Sequence, residues 1–192
     1  MTSSDNDLAL TLRQALHGKL PHIADGNPNR KPAAVLIPFV KSDNKWHLLF
    51  TKRTHGVGKH RGEISFPGGA AEDNDSNLIE TAVRETCEEI GIPQERIQIL
   101  GVLDPIPTVS NYCVLPVVSI LDWPQPLQLN KDEVDNILLI PLDWLKEKEN
   151  WYQDDYFYEP GKNKAVIHYK DFEGEHLWGI TARLAQIVTS YV

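Results

Sequence analysis

Three glutamates in the middle of the chain have the spacing of a metal site. Glu85, Glu88 and Glu89 stand at positions i, i+3 and i+4, so on a helix their carboxylates converge on one patch. Like charges this close repel one another, and a nearby cation would offset that cost. Arg84 directly precedes the three glutamates. A solvated acidic helix face is the alternative interpretation, and the residues upstream argue against it.

The flanking sequence predicts a helix and a glycine turn that would position these glutamates. Asn77 can cap the N-terminus and Gly91 stands where a left-handed residue ends a helix, which predicts a helix from about Leu78 to Ile90. Upstream, Gly68 and Gly69 allow backbone amides to approach a ligand closely. Carboxylate oxygens beside a glycine loop are the parts of a Mg²⁺ or Mn²⁺ site for a diphosphate. The glutamates are expected opposite a core face made of Ile79, Ala82, Val83, Thr86, Cys87 and Ile90.

The segment from Gly68 to Ile92 resembles the Nudix box, G-x5-E-x7-R-E-U-x-E-E-x-G-U with U apolar. The second half matches from Arg84 onwards, except for Thr86 at an apolar position. The loop before Arg84 is one residue longer than the family pattern, so the expected glutamate is replaced by Asp75 or Ser76, depending on where the extra residue is placed. This replacement weakens any role for the first acid and leaves intact the three glutamates that resemble the family's metal ligands.

The connection before the glycine turn resembles a signature of the coenzyme A pyrophosphatase branch of this family, L-L-T-x-R-[SA]-x3-R-x3-G-x3-F-P-G-G. The mild departures are Phe50 and Thr54, and the serious one is Gly58, which stands where the pattern has an arginine. The C-terminal segment from Glu175 to Arg183 resembles the branch's W-G-x-T-A-R stretch. The residues that match the signature are Leu49, Thr51, Arg53, Gly62, Phe66, Pro67, Gly68 and Gly69.

Basic residues cluster in the same connection and are suited to phosphate binding. Arg53 and Lys52, with Lys59 and Arg61 further on, offer forked and point-charge donors, and coenzyme A has a diphosphate and a ribose phosphate. Lys59 or Arg61 could supply the charge missing at Gly58. The alternative for the charges alone is a solvated basic loop.

The turn and the histidines of this connection have separate interpretations. Phe66, Gly68 and Gly69 are expected to shape the turn behind the metal and to contact substrate. His55 and His60 have no familiar metal spacing, and bases in this family are usually carboxylates, so we do not assign them a catalytic role.

Three further segments are candidates for the site. Glu133 precedes an apolar strand and is the best candidate outside the box for an extra metal ligand or general base, with Asp132 and Asp135 as competitors and a surface acid as the alternative. The Pro-rich connection from Asp104 to Tyr112 is either a substrate wall or a strand terminator. Trp178 is interpreted as a core residue or a base contact, with the core favoured.

Composition limits the possible function classes. The chain has 192 residues with 41% hydrophobic and 24% charged residues, as in globular proteins. A formal net charge of −8 argues against general nucleic-acid binding. No apolar run approaches the roughly 20 residues of a membrane span, and the N-terminus does not resemble a secretory signal, so the cytoplasm is expected. Cys87 and Cys113 are interpreted as buried free thiols.

The pattern along the chain predicts one main domain. A weakly amphipathic helix from Asp7 to Leu20 and a linker ending at Pro32 form an N-terminal segment, residues 1–32, and residues 33–192 form a single domain. The resemblance implies an α/β fold, namely an α/β/α sandwich with a central mixed β-sheet and the glutamate helix beside it. A homodimer is compatible with the family, although no heptad or patch demonstrates one.

The resemblance also implies a reaction and a role for each residue. It implies metal-dependent hydrolysis of a nucleoside diphosphate linked to another group, namely coenzyme A or an acyl derivative, with Mg²⁺ or Mn²⁺ held by Glu85, Glu88 and Glu89. Arg84 would orient a glutamate, and a box glutamate or Glu133 would accept the water's proton. Two alternatives stay open: a Nudix enzyme for ADP-ribose or a nucleoside triphosphate, and a non-catalytic Nudix-fold ligand sensor.

Overall fold

The computed structural model describes residues 3–16, 29–54, 62–159 and 162–192. The helices in this part of the chain are α1 (Ser3–Leu16), α2 (Leu78–Ile90), α3 (Leu142–Lys146) and α4 (Gly179–Thr189), with single 3₁₀ turns at Gln94–Arg96 and Lys148–Asn150. The strands are β1 (Lys31–Ser42), β2 (Lys45–Arg53), β3 (Ile64–Ser65), β4 (Gly68–Ala70), β5 (Ile97–Val102), β6 (Ile106–Pro107), β7 (Tyr112–Leu121), β8 (Val134–Pro141), β9 (Trp151–Glu159) and β10 (Lys162–Tyr169).

Eight of these strands form one mixed sheet, which confirms the predicted fold class. The strands run in the order β3-β2-β1-β7-β5, while β4 pairs with β1, β6 with β7 and β8 with β2. The long pairing of β1 with β7 is parallel, from Lys31 opposite Tyr112 to Phe39 opposite Ile120. The other pairs in this sheet are antiparallel. A separate antiparallel pair is formed by β9 and β10.

The alternation of side chains along β2 divides the core into two clusters. Leu48 and Phe50 join the larger cluster, which includes buried residues of α1, α3 and α4. Leu49 joins the smaller cluster, which includes Ala82 and Ile90 of α2. The sheet is therefore covered on both faces, and α2 is the only described helix that contributes buried residues to the smaller cluster.

The predicted ends of α2 are confirmed, and its orientation differs from the prediction. The side chain of Asn77 accepts hydrogen bonds from two amides of the first turn, and Gly91 is left-handed with φ of 69°. The expected core face was partly wrong: Ile79 is 37% exposed, whereas Thr81 and Glu89 are buried. Cys87 is only half-buried. The glutamates thus do not all face away from the core, because Glu89 points into it.

Helix α1 packs onto the same core as the sheet. Ala9, Leu12 and Leu16 are buried in the larger cluster, and Leu16 lies so close to Gly101 of β5 that an added Cβ there would meet it at 2.8 Å. The helix begins earlier than expected, and residues 17–28 lie outside the described part of the chain. The division into residues 1–32 and 33–192 stays a prediction. In the described residues, no helix has the length and apolar character that a membrane crossing requires.

Candidate active site

The carboxyl group of Glu85 lies directly on the backbone of Gly69. A Cβ added at Gly69 would meet the Glu85 carboxyl atoms at 2.5–2.6 Å, a separation at which something must move. Because β4 runs beside α2 and pairs with β1, the strand cannot withdraw to make room. A side chain at this position would therefore displace the Glu85 carboxyl group.

Both the backbone conformation of Gly68 and the atoms around it favour glycine at this position. Its φ is 150°, a region that other residues rarely adopt. An added Cβ would meet the carbonyl oxygen of Ala34 at 2.3 Å. The Gly68 amide lies close enough to Glu89 to lower the pKa of its carboxyl group.

Glu89 is a buried carboxyl group with an unpaired oxygen. The residue is 4% exposed, and its Oε2 atom has no hydrogen-bond partner. Burial raises the pKa of Glu89 to about 8, with Glu85 and Glu133 adding to the rise and Arg53 and the Gly68 amide opposing it. A buried polar atom without a partner is costly, so this oxygen is in place to receive a ligand.

Glu85 and Glu88 are progressively closer to solvent. Burial raises the pKa of Glu85, Arg84 opposes this effect, and the negative charges of Glu88 and Glu133 reinforce it. The side chain of Glu88 is 58% exposed. The three predicted ligands therefore run from the interior outward along one edge of α2.

Arg84 contacts two of the three glutamates and the glycine strand. Its Nη1 lies 3.1 Å from Glu85 Oε1 and donates to Glu88 Oε2 at 3.1 Å. Its Nη2 donates to the carbonyl oxygen of Ala70 at 3.2 Å. Arg84 thus supplies the offsetting cation that the glutamate cluster required.

Asp75, one of the two residues that the sequence offered in place of the first acid, pairs with Arg84. Its Oδ1 accepts a hydrogen bond from Arg84 Nε at 2.9 Å and its Oδ2 accepts one from Arg84 Nη2 at 3.0 Å. The amide of Glu72 and the hydroxyl of Thr81 also donate to Oδ2, each at 2.9 Å. These donors, Arg84 above all, hold the pKa of Asp75 well below its usual range. The extra loop residue is therefore compatible with an intact acid–arginine pair.

The segment with Glu133 packs against the C-terminal end of α2. The Asn130 amide donates to the carbonyl oxygen of Glu89 at 2.9 Å, and the Thr54 amide donates to that of Glu133 at 2.9 Å. Glu133 lies close enough to raise the pKa of both Glu85 and Glu89. Asp135 acts instead on Lys52, and Asp132 is not among the groups that shift either glutamate.

The predicted basic residues fall into different environments. Arg53 lies close enough to Glu89 to lower its pKa, whereas Lys52 pairs with Glu175 and so belongs to another part of the surface. Lys59 and Arg61 lie outside the described residues, as do Gly58, His55 and His60. Their proposed contacts with substrate stay predictions.

Two aromatic residues that were candidates for contact with substrate stack on other rings of the protein. Phe66 is 3% exposed and its ring stacks on that of Phe50 with 4.6 Å between centroids. Phe66 therefore supports the turn from the core side and does not present its ring to the site. Trp178 is half-buried and stacks on His168 with 5.8 Å between centroids.

The carboxylates of α2 fit a hard divalent cation. Glu89 provides a buried oxygen without a partner, and Glu85 is held against the glycine strand. Among the described residues, no three such side chains already converge on one point, and Glu85 and Glu88 both pair with Arg84. Replacement of the exposed Glu88–Arg84 ion pair by a contact with a metal ion would cost little, since exposed ion pairs contribute little free energy.

Comparison with protein families and with curated proteins identifies the family of this chain. The NUDIX domain model matches residues 30–160. The chain is 36% identical over 155 residues to the uncharacterized Nudix hydrolase NudL of Pectobacterium atrosepticum, covering 81% of this chain and 79% of that protein. It is 34% identical over 162 residues to the protein of the same name from Escherichia coli O9:H4, covering 84% and 83%.

Solved structures with the same fold are more distant in sequence. A MutT/nudix family protein from Enterococcus faecalis has a TM-score of 0.53 and 16% identity, covering 98% of this chain and 73% of that chain. A C. elegans Ap4A hydrolase in a binary complex has a TM-score of 0.50 and 23% identity, covering 58% and 80%. At this level of identity the comparison concerns the fold alone.

Proposed function

Because the chain belongs to the Nudix hydrolase family, we propose that it is a metal-dependent pyrophosphatase that cleaves the diphosphate of coenzyme A or an acyl-coenzyme A. The products are phosphopantetheine, or its acyl form, and adenosine 3′,5′-bisphosphate. The single observation that supports this most is that Glu89, whose buried Oε2 has no hydrogen-bond partner, lies on the same helix as Glu85, whose carboxyl group contacts Gly69. The choice of coenzyme A depends on the match to the branch signature from Leu49 to Gly69.

In this proposal Glu85, Glu88 and Glu89 hold Mg²⁺ or Mn²⁺. When bound, such an ion lowers the pKa of a coordinated water and offsets charge that develops on the diphosphate. Glu89 would lose its proton on binding a cation, and its Oε2, which has no hydrogen-bond partner, would be the oxygen available to the ion. Gly68 and Gly69 let the backbone approach the diphosphate, since no side chain stands between them and the glutamates.

The remaining residues position substrate and move a proton. Arg84 keeps Glu85 oriented while Asp75 fixes the guanidinium from the other side. Arg53 is available to donate to a phosphate near Glu89. Glu133 is favoured over Asp132 and Asp135 as the group that accepts the water's proton, because it alone of the three acts on Glu85 and Glu89.

Gly58 supports a second candidate, which is a Nudix pyrophosphatase for ADP-ribose or a nucleoside triphosphate. The branch signature has an arginine at this position, and its loss removes one donor to the phosphates of coenzyme A. The cytoplasmic location and the homodimer stay predictions of the sequence analysis.

A product assay on a substrate panel tests the proposal. Purified protein is incubated with coenzyme A, acetyl-coenzyme A, ADP-ribose, NADH, diadenosine polyphosphate or a nucleoside triphosphate, each with Mg²⁺, Mn²⁺ or a chelator. Metal-dependent release of phosphopantetheine is the expected result. Preference for another diphosphate would keep the metal site and overturn the coenzyme A assignment, and no turnover of any substrate would favour the ligand sensor.

A further inference from the structure

A second group of polar side chains lies on β9, β10 and the segment that leads to α4. Two of its members are histidines, His168 on β10 and His176 eight residues later. His168 Nδ1 and His176 Nε2 are 3.1 Å apart. This group shares no residue with the glutamate site and has no role in the proposed hydrolysis.

Asp171 determines which nitrogen of His176 bears a proton. The Nδ1 atom of His176 lies 3.1 Å from Asp171 Oδ1, and a carboxylate oxygen accepts a hydrogen bond, so Nδ1 is the protonated nitrogen. The lone pair of the neutral ring is then on Nε2, which faces His168. A carboxylate that orients a histidine in this way is the usual outer partner of a metal-binding imidazole.

The ring of His168 is held between two aromatic rings. Tyr152 stacks on it with 5.3 Å between centroids and an interplanar angle of 14°. Trp178 stacks with 5.8 Å between centroids and an interplanar angle of 18°. Because the ring cannot turn freely between these neighbours, Nδ1 stays directed at His176. Both imidazoles are therefore oriented before any ligand arrives.

We propose that His168 Nδ1 and His176 Nε2 together bind one transition-metal ion of the zinc, nickel or copper class. Two nitrogens that are each about 2.0–2.1 Å from one ion lie roughly 2.9 Å apart at a right angle and roughly 3.4 Å apart in a tetrahedron. The observed 3.1 Å falls within this interval. The ion takes the place of the hydrogen bond between the two nitrogens: the single proton of the neutral His168 ring moves from Nδ1 to Nε2, so that Nδ1 offers its lone pair to the ion.

The chemistry of this site differs from that of the glutamate site. Imidazole nitrogens favour zinc, copper and nickel, whereas carboxylate oxygens favour magnesium and manganese. No third histidine, cysteine, aspartate or glutamate completes the coordination within the described residues, so water fills the remaining positions. The ion would join the end of β10 to the segment before α4 and would stabilise the folded state by mass action.

A zinc competition titration tests the proposal. The full-length chain without an affinity tag is titrated with Zn²⁺ against a chromogenic chelator, in excess Mg²⁺ so that the glutamate site is occupied. The variants are H168Q, H176Q and D171N. The matched control is H47Q, because His47 lies on β2 beside the carbonyl oxygen of Lys45 and outside this group. Circular dichroism establishes that each variant is folded.

The expected results distinguish binding by these two histidines from nonspecific binding at the surface. The wild type and H47Q should bind one Zn²⁺ with the same affinity within about twofold, H168Q and H176Q should bind more than tenfold weaker, and D171N should lose about tenfold. Nitrogen hyperfine structure from two imidazoles should appear with Cu²⁺. His176 is exposed, so H176Q decides the question if H168Q does not fold. Unchanged zinc affinity in H176Q would overturn the proposal.

Discussion

The guanidinium group of Arg84 and the carboxylate of Asp75 form two hydrogen bonds, from Nε to Oδ1 at 2.9 Å and from Nη2 to Oδ2 at 3.0 Å. This two-point contact fixes the plane of the guanidinium. The remaining nitrogen, Nη1, then reaches Glu85 and Glu88. Asp75 therefore acts on the candidate metal ligands through Arg84.

Replacement of Asp75 by asparagine should lower both the thermal stability and the turnover. The amide keeps the shape of the side chain but removes the charge and one of the two acceptor oxygens. Thermal denaturation and steady-state kinetics measure the two effects. Asp73→Asn in the same loop is the control, because Asp73 is exposed and should tolerate the change. Equal behaviour of the two variants would contradict the role of Asp75.

Gly69→Ala should reduce kcat while leaving the protein folded. The new methyl group meets the Glu85 carboxyl group at about 2.5 Å and displaces it, and a misplacement of this size can reduce the rate by roughly a hundredfold. Gly174→Ala is a matched control: Gly174 has φ of 83° and no neighbour within 4 Å of an added Cβ. It should lose stability and keep its turnover. Full activity of Gly69→Ala would show that the contact is not needed.

Without divalent metal, Glu89→Gln should be more stable than the wild type at alkaline pH. The pKa of Glu89 is raised to about 8 in the folded protein. The stability that the protonated carboxyl group contributes is therefore complete below the unfolded pKa of about 4.3 and is lost as pH rises through 8. Glutamine does not ionise, and the free energies of unfolding should diverge above about pH 5.

Chemical denaturation between pH 5 and pH 9 measures this difference. Glu88→Gln is the control, because the Glu88 side chain is 58% exposed and should follow the wild type. Mg²⁺ should restore part of the wild-type stability at high pH by binding the ionised carboxylate. Parallel pH profiles for the wild type and Glu89→Gln would show that ionisation of the buried carboxyl group does not destabilise the folded protein.

Glu133→Gln should lower kcat by about 10²-fold or more if Glu133 accepts the water's proton. Asp132→Asn and Asp135→Asn are matched controls, since they change neighbouring acids that do not act on Glu85 and Glu89. Their turnover should stay near that of the wild type. A larger loss in either control would transfer the role of base to that residue.

Local sequence rules were sufficient for the elements that position the site. Asn77 and Gly91 predicted both ends of α2 because capping depends on neighbouring residues alone. The apolar runs around residues 41–45 predicted the hairpin of β1 and β2, where Asp43 and Asn44 have positive φ. The resemblance to the Nudix box identified the family, and the family implied the α/β fold.

Contacts between distant residues explain what the sequence did not predict. The burial of Glu89 depends on how α2 rolls against the sheet and the glycine strand, which helical spacing does not specify. Lys52 and Arg53 are adjacent in sequence, yet Lys52 pairs with Glu175 in a segment 123 positions away. Prediction of the pair between Asp75 and Arg84 would have required knowing where the extra loop residue is accommodated.

The most direct test of the metal site is the turnover of Glu88→Gln on the panel substrate that the wild type hydrolyses fastest, over a range of Mg²⁺ concentrations. Glu88 is exposed enough for the variant to fold normally, and Glu95→Gln, an exposed glutamate beyond α2, is its control. We predict a loss of at least about a hundredfold in kcat with an unchanged Tm. Turnover equal to that of the wild type at every Mg²⁺ concentration would contradict the assignment of the α2 glutamates as metal ligands.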